Sequence, residues 1–243
     1  MSLFTISDLH LSLGHYPNKS MDVFGKRWTD YTAKLDKNWR AVVSEQDTVV
    51  IPGDISWALT LEEAEEDLRF IHSLPGRKII GKGNHDFWWQ TMRKLSLFTE
   101  AKGFSSLSFL YNNAIETETH IICGTRGWFY DPTYDKMPKD TDFEKIVARE
   151  AMRLDSSLQL GEALSAETGK PLLVFLHFPA VWSGKSCDAI LSTLLSHRVQ
   201  KCFFGHIHSS YELPPDFHQD GIDFSLVSAD FLSFTPKLIA KSE

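Results

Sequence analysis

The sequence predicts an α/β fold with mixed parallel and antiparallel strands, and three observations carry the prediction. Short apolar runs rich in β-branched and aromatic residues recur along the chain. Amphipathic helical stretches lie between several of them. Two regions rich in strand formers follow one another without an intervening helical pattern. With 243 residues, 42% hydrophobic, the chain can bury a substantial core. It shows no repeat, low-complexity tract or Ser/Gly/Pro-rich linker, so one domain over residues 1–243 is expected.

The runs "LFTIS", "TVVIP", "RKIIG", "LLVFL" and "KCFFG" are brief and rich in β-branched or aromatic residues, as expected of strands buried on both faces. Residues 28–43 carry apolar side chains at helical spacing. Thr60-Leu61-Glu62-Glu63 is a capping box, opening a helix that ends near Leu74, before Pro75 and Gly76. Residues 144–167 read as a long helix, "SLSFLYNNA" and "THIICGTRGW" as a strand pair, and "IDFSLVSADFLSF" as further strands.

A formal charge of -7 and a pI near 5.8 argue against broad adhesion to nucleic acid or anionic membrane. Cys123, Cys187 and Cys202 are odd in number and widely spaced, without a CxxC pattern. They suggest reduced intracellular thiols rather than a disulfide framework or a cysteine zinc site. The amino terminus lacks a basic n-region, and no stretch reaches the ~20 apolar residues of a membrane span. A cytoplasmic protein without a membrane partner is expected.

The residues just past each apolar run are the informative ones, because ligand sites in open α/β sheets gather at the carboxyl ends of strands. The five runs lead in turn to Asp8 and His10, to Gly53 and Asp54, to Asn84, His85 and Asp86, to His177, and to His206 and His208. Five of the chain's ten histidines thus sit at strand ends. The donors are nitrogen and oxygen only. One catalytic ion takes about three protein ligands, so the set suits two ions ~4 Å apart sharing a carboxylate. The donor mix fits Mn, Fe, Co, Ni or Zn better than Ca.

Asp8-x-His10, Gly53-Asp54, Gly83-Asn84-His85-Asp86, His177 and Gly205-His206-x-His208, in this order, resemble the five motifs of the calcineurin-like metallophosphoesterase superfamily. The resemblance implies a two-sheet β-sandwich flanked by helices in four α/β/β/α layers. It also implies that Asp8, His10 and His208 hold one metal ion, that Asn84, His177 and His206 hold a second, and that Asp54 bridges them. His85 is then the proton donor. Two divalent ions offset only by Asp8 and Asp54 leave an excess of roughly two positive charges, enough to draw a phosphate to an acidic protein. The implied chemistry is in-line attack on phosphorus by a metal-bound hydroxide. Asp86 is expected to hydrogen-bond an imidazole, His85 first, and Gly81 and Gly83 to permit a tight turn.

Aromatic residues crowd the motifs. Trp57 and Trp182 are candidates to face substrate, Trp88 or Trp89 to pack the core, and Trp128 to Tyr130 and Phe178 to line the surroundings. Lys26, Arg27 and Arg126 are candidate phosphate clamps, and residues 11–26 a candidate lid. His15, His72, His120, His197 and His218 match no motif. A Gly-x-Ser-x-Gly elbow and a Walker loop are both absent.

A small phosphorylated substrate is favoured, mono- or diester. The alternatives are a nuclease or cyclic nucleotide phosphodiesterase, which the aromatic supply allows and the acidic balance disfavours, and a non-catalytic scaffold of the same fold. The intact donor set and His85 argue for catalysis over scaffolding.

Overall fold

The computed structural model describes residues 1–14, 21–129 and 142–241. Strands and helices alternate from the start: β1 (Ser2–Thr5), α1 (Tyr31–Val42), β2 (Thr48–Ile51), α2 (Glu65–Ser73), β3 (Arg77–Gly81), α3 (Met92–Lys102) and β4 (Leu107–Leu110). There follow β5 (Ala114–Glu116), β6 (Ile121–Thr125), α4 (Phe143–Thr168) and β7 (Leu172–Leu176). The hairpin β8 (Val181–Trp182) and β9 (Lys185–Ser186) leads to α5 (Asp188–Ser196) and β10 (Lys201–Phe204). The chain closes with β11 (Asp216–Gln219), β12 (Ile222–Leu226) and β13 (Lys237–Lys241).

Two sheets result, in the orders β13-β1-β2-β3-β4 and β11-β12-β10-β7-β6-β5. β1 to β4 run parallel, as do β6, β7, β10 and β12, while β13, β11 and β5 close the edges antiparallel.

Alternation of side chains along each strand divides the core into three layers. Leu3, Val50, Ile79 and Leu110 of the first sheet meet Ile122, Leu173, Phe175 and Phe203 of the second, so the sheets pack face to face. The outer side of the first sheet, with Val49, Ile51 and Ile80, packs on Leu35 and Trp39 of α1, Leu68 and Ile71 of α2 and Leu95 of α3. The outer side of the second, with Cys123, Val174 and Phe204, packs on Leu154 and Leu158 of α4 and Ile190 and Leu194 of α5. This is the expected four-layer α/β/β/α arrangement. None of the helices among the described residues is long and apolar enough to cross a membrane.

Several elements differ from expectation. "SLSFLYNNA" and "THIICGTRGW" do not form one pair: β4 adds to the first sheet beside β3, whereas β6 lies in the second between β5 and β7. The capping box at residues 60–63 forms, with the Glu63 amide donating to Thr60 Oγ1 at 3.2 Å. It closes a turn, and α2 begins only at Glu65. Beyond β12, residues 229–234 are turns rather than strand, and they seat Phe234 against Trp28.

Candidate metal centre

Both parallel sheets deliver the carboxyl ends of their strands to one edge of the sandwich. The Asp8 amide donates to the Gly53 carbonyl at 3.1 Å and the His10 amide to that of Asp54 at 2.9 Å, so the loops after β1 and β2 are stitched side by side. Ser7 pairs with Ser228, joining the second sheet's final turn to the first. Asp8, His10, Asp54 and His206 hold φ between 45° and 71°. Left-handed backbone at non-glycine residues is uncommon, and its concentration here marks chain bent to aim side chains inward.

All seven expected donors converge. Asp8, His10 and His208 place ligand atoms within 4.8 Å of one another, as do Asp8, Asp54 and His177. His10 Nε2 lies 3.2 Å from His208 Nε2, and Asn84 Oδ1 lies 2.7 Å from His177 Nε2 and 2.9 Å from His206 Nδ1. Asp54 Oδ2 stands between the two groups, 3.7 Å from His10 Nε2 and 3.5 Å from His177 Nε2. Its other oxygen, Oδ1, accepts the His85 amide at 2.8 Å.

Neighbouring acceptors turn the imidazoles. His177 Nδ1 donates to the Pro52 carbonyl at 3.2 Å and His208 Nδ1 to Asp230 Oδ1 at 2.9 Å, leaving each Nε2 turned to the centre. Asp8 is fixed by Ser228 Oγ at 3.1 Å and by the His206 amide at 3.0 Å. Gly83 and Gly205 are required by close approach: a Cβ would run into the Asp54 carboxylate at the first and into Asp8 Oδ2 and Ser7 Oγ at the second. Gly83 does not have positive φ, so its role is space rather than the expected tight turn; Gly81, also without positive φ, ends β3, where an added Cβ would come no nearer than 3.3 Å, to Pro52 Cα.

Asp86 corrects an expectation. It bonds no imidazole among the described residues; its two oxygens accept from the amides of Asp54, Ile55, Ser56 and Gly83 at 2.7–3.3 Å and from Trp88 Nε1 at 2.9 Å. Because a carboxylate can satisfy several buried amides at once, Asp86 clasps the β2 and β3 loops together and so positions Asp54. Burial pushes its carboxyl up to about 6 against these hydrogen bonds.

Burial sets the charge states. It holds His10 and His177 low and takes His206 down to about 4, so all three are neutral, the form that binds metal. Burial, with the charges of Asp8 and Asp86, raises Asp54. For Asp8, burial works upward but the hydrogen bond and charge of His208 prevail and lower it. Burial opposes charge on His208 too, yet hydrogen bonds to Asp230 and Asp8 push it up to about 10. Mutually close carboxylates and imidazoles without sulfur fit divalent transition ions.

Trp57 stacks on His10 with ring centroids 4.9 Å apart and reaches His85 at 4.3 Å, so it lies at the centre. Trp182 does not; it is buried against Phe204 and Phe217. Trp88 and Trp89 are buried in the core. Phe178 stands 4.2 Å from the His206 ring and 5.1 Å from Trp128. Arg27 donates to the Asp230 carbonyl and lies over Tyr211, Arg126 is paired with Glu150, and Lys26 is exposed. The candidate lid falls partly outside the described residues, as do Tyr130 and His15. His72, His120, His197 and His218 bond to residues outside the donor set.

Sequence reasoning missed Asp230, Ser228 and Trp28. Asp230, fully buried, takes His208 and also the Tyr211 hydroxyl at 2.8 Å. Trp28 meets His10 and His208 edge-on. The signal for the first two was present: Ser228-Ala229-Asp230 follows an apolar run just as the recognised motifs do.

Fold and donor set together are those of the metallophosphoesterases. The chain belongs to the calcineurin-like phosphoesterase family, whose model matches residues 1–210. Among curated proteins it is 39% identical over 80 residues to the Gene 66 protein of Mycobacterium phage L5. The match spans 33% of this chain and only 37% of that protein. Among solved structures it is similar to TT1561 of Thermus thermophilus, with TM-score 0.53 and 10% identity over 98% of this chain and 97% of that one. It is also similar to the phosphopantetheinyl hydrolase PptH of Mycobacterium tuberculosis, with TM-score 0.50 and 15% identity over 99% and 96% of the two chains. At such identities the structural likeness shows the shared fold.

Proposed function

We propose that this protein hydrolyses phosphate mono- or diesters of small molecules with two divalent transition ions. Asp8, His10 and His208 would hold one ion, and Asn84, His177 and His206 the other, with Asp54 shared. The supporting observation is the position of Asp54 Oδ2, within 3.7 Å of an imidazole nitrogen from each group. Ions bound there supply an activated nucleophile and neutralise charge on the phosphoryl oxygens.

The protein's own residues do the rest. His85 follows the ligand Asn84 directly, and its amide is tied to Asp54, so its ring is carried at the rim of the centre against Trp57. From there it protonates the departing oxygen. Asp230 keeps His208 in one tautomer, and Asp86 keeps the Asp54 loop in register.

The test is metal analysis of protein reconstituted with Mn, together with hydrolysis of nitrophenyl mono- and diesters, cyclic nucleotides and single-stranded oligonucleotides. About two ions per chain and turnover of small esters are expected. His85→Ala should retain metal and lose about 100-fold or more in kcat on a poor leaving group, whereas Asp54→Ala should lose both metal and activity. Less than one bound ion per chain, or unchanged turnover in the His85 variant, would overturn the reading.

A further inference from the structure

Beside the candidate metal centre, the end of β6 and the helix α4 bring two arginines onto one buried carboxylate, and the loop after β3 adds Lys82 to their electrostatic surroundings. Glu150 is fully buried, and its Oε1 receives Arg153 Nη1 at 2.6 Å and Arg126 Nη2 at 3.3 Å. Thr125 Oγ1 donates to Oε2 at 3.3 Å. One arginine suffices to neutralise this carboxylate, and Arg153 makes the shorter contact. Arg126 spends one donor on the same oxygen and retains most of its five N–H groups.

Lys82 is half-buried and has no hydrogen-bond or ion-pair partner among the described residues. Its charge interacts with those of Arg126, Arg153, Glu150 and Asp86. The Asp86 carboxylate, however, is enclosed by backbone amides and directed at the β2 loop. Among the described residues positive charge is therefore in surplus at this spot, although the chain as a whole is acidic.

The cluster adjoins the Asn84–His177–His206 side of the centre. Lys82 lies two residues before Asn84, and the Arg126 carbonyl accepts the amides of His177 at 3.1 Å and Phe178 at 2.9 Å. A continuous wall runs from His206 to Phe178 at 4.2 Å, on to Trp128 at 5.1 Å, and to the Arg126 guanidinium lying 5.1 Å from the Trp128 ring. That wall leads from the candidate centre to the Arg126 guanidinium.

We propose that Lys82 and Arg126 form a second anion subsite, which takes an additional phosphate or carboxylate of the substrate while its ester phosphate sits at the metals. The inference rests on the phosphoesterase reading and narrows it to small molecules with two anionic groups. A guanidinium fork and an ammonium suit either anion, through paired N–H donors and through point charge respectively.

Calorimetric titration of the Mn-loaded protein tests the proposal without turnover. The probes are methylphosphonate, the α,ω-alkanediphosphonates with two to five methylenes, and phosphonoalkanoates of matching length. At least one chain length should bind tenfold or more tighter than methylphosphonate. Lys82→Gln combined with Arg126→Lys should reduce that ratio to about two, while the remote Lys94→Gln preserves it. A larger gain from the diphosphonate selects a bisphosphorylated substrate, and from the phosphonoalkanoate a phosphorylated acid. Equal affinity across the series, or a gain that survives the double substitution, overturns the subsite. Failure of the phosphoesterase reading is separate: methylphosphonate binds but no ester is turned over. Binding of none of the probes overturns both.

Discussion

Asp230 Oδ1 lies 2.9 Å from His208 Nδ1, a contact across 22 residues that fixes a partly exposed imidazole of the candidate metal centre. The carboxylate is fully buried and also holds the Tyr211 hydroxyl and the Ser209 amide, so it is preorganised before any ion arrives. Replacing its charge should weaken metal binding more than folding. Asp230→Asn is expected to lower Mn affinity about tenfold to 100-fold, read by calorimetric titration, with the folded circular dichroism spectrum retained. Wild-type affinity in this variant would show the contact to be dispensable.

Gly83 tolerates no side chain, since a methyl group there would occupy the position of the Asp54 carboxylate. Gly83→Ala should therefore displace Asp54, abolish stoichiometric metal binding and cost about 2 kcal/mol or more of stability in denaturant titration. A variant that folds normally and binds two ions would contradict this packing.

His197 offers a pH-dependent test away from the centre. Its ring bridges α5 to α4 through Asp155 and Glu162, both at 2.9 Å. Burial works against its charge, but the two carboxylates prevail and raise its pKa above the usual 6.5. A raised folded pKa means that the protonated form is favoured on folding. The stabilisation is fully present below the unfolded pKa and is lost as pH rises through the folded one. His197→Gln should cost about 1 kcal/mol near pH 6 and progressively less above it, measured by urea titration across the range. A cost independent of pH would mean that packing alone explains the contact.

Chelation should lower thermal stability. Because ions bind the folded arrangement of donors and not the scattered chain, stabilisation grows with the logarithm of free metal. It reaches about 2.7 kcal/mol at one hundred times the Kd. Melting curves at increasing Mn are expected to shift upward continuously, and curves unaffected by metal or chelator would argue against the centre.

Much of this site was legible because its chemistry sits at strand ends, where the sequence passes from apolar runs to polar side chains. Asp8, His177 and His206 follow such a run directly, and Asp54 and Asn84 come within three residues of one. Contacts decided by tertiary structure were not legible. Asp86 adjoins His85 in sequence, yet four amides and an indole compete for its oxygens and win. The assignment of β4 and β6 to different sheets is likewise a choice made by packing, since both runs have the same local character. Helix α3 escaped notice although its Thr91 cap and its terminal Gly103 are ordinary signals; it buries only Leu95 and Thr99, which leaves little apolar periodicity to find. Helix α5 is so apolar along its short length that its pattern resembles a buried strand.

The donors are divided between the sheets: Asp8, His10, Asp54 and Asn84 follow strands of the first, and His177, His206 and His208 follow strands of the second. An ion at this edge would act as a rivet through two plates. Any slippage of one plate against the other would pull the coordination apart, so retention of the ion would depend on remote aliphatic contacts such as those of Val50, Ile79 and Leu173 in the intervening layer. Conservative repacking there, far from every polar group, should register as altered metal retention before it registers as unfolding.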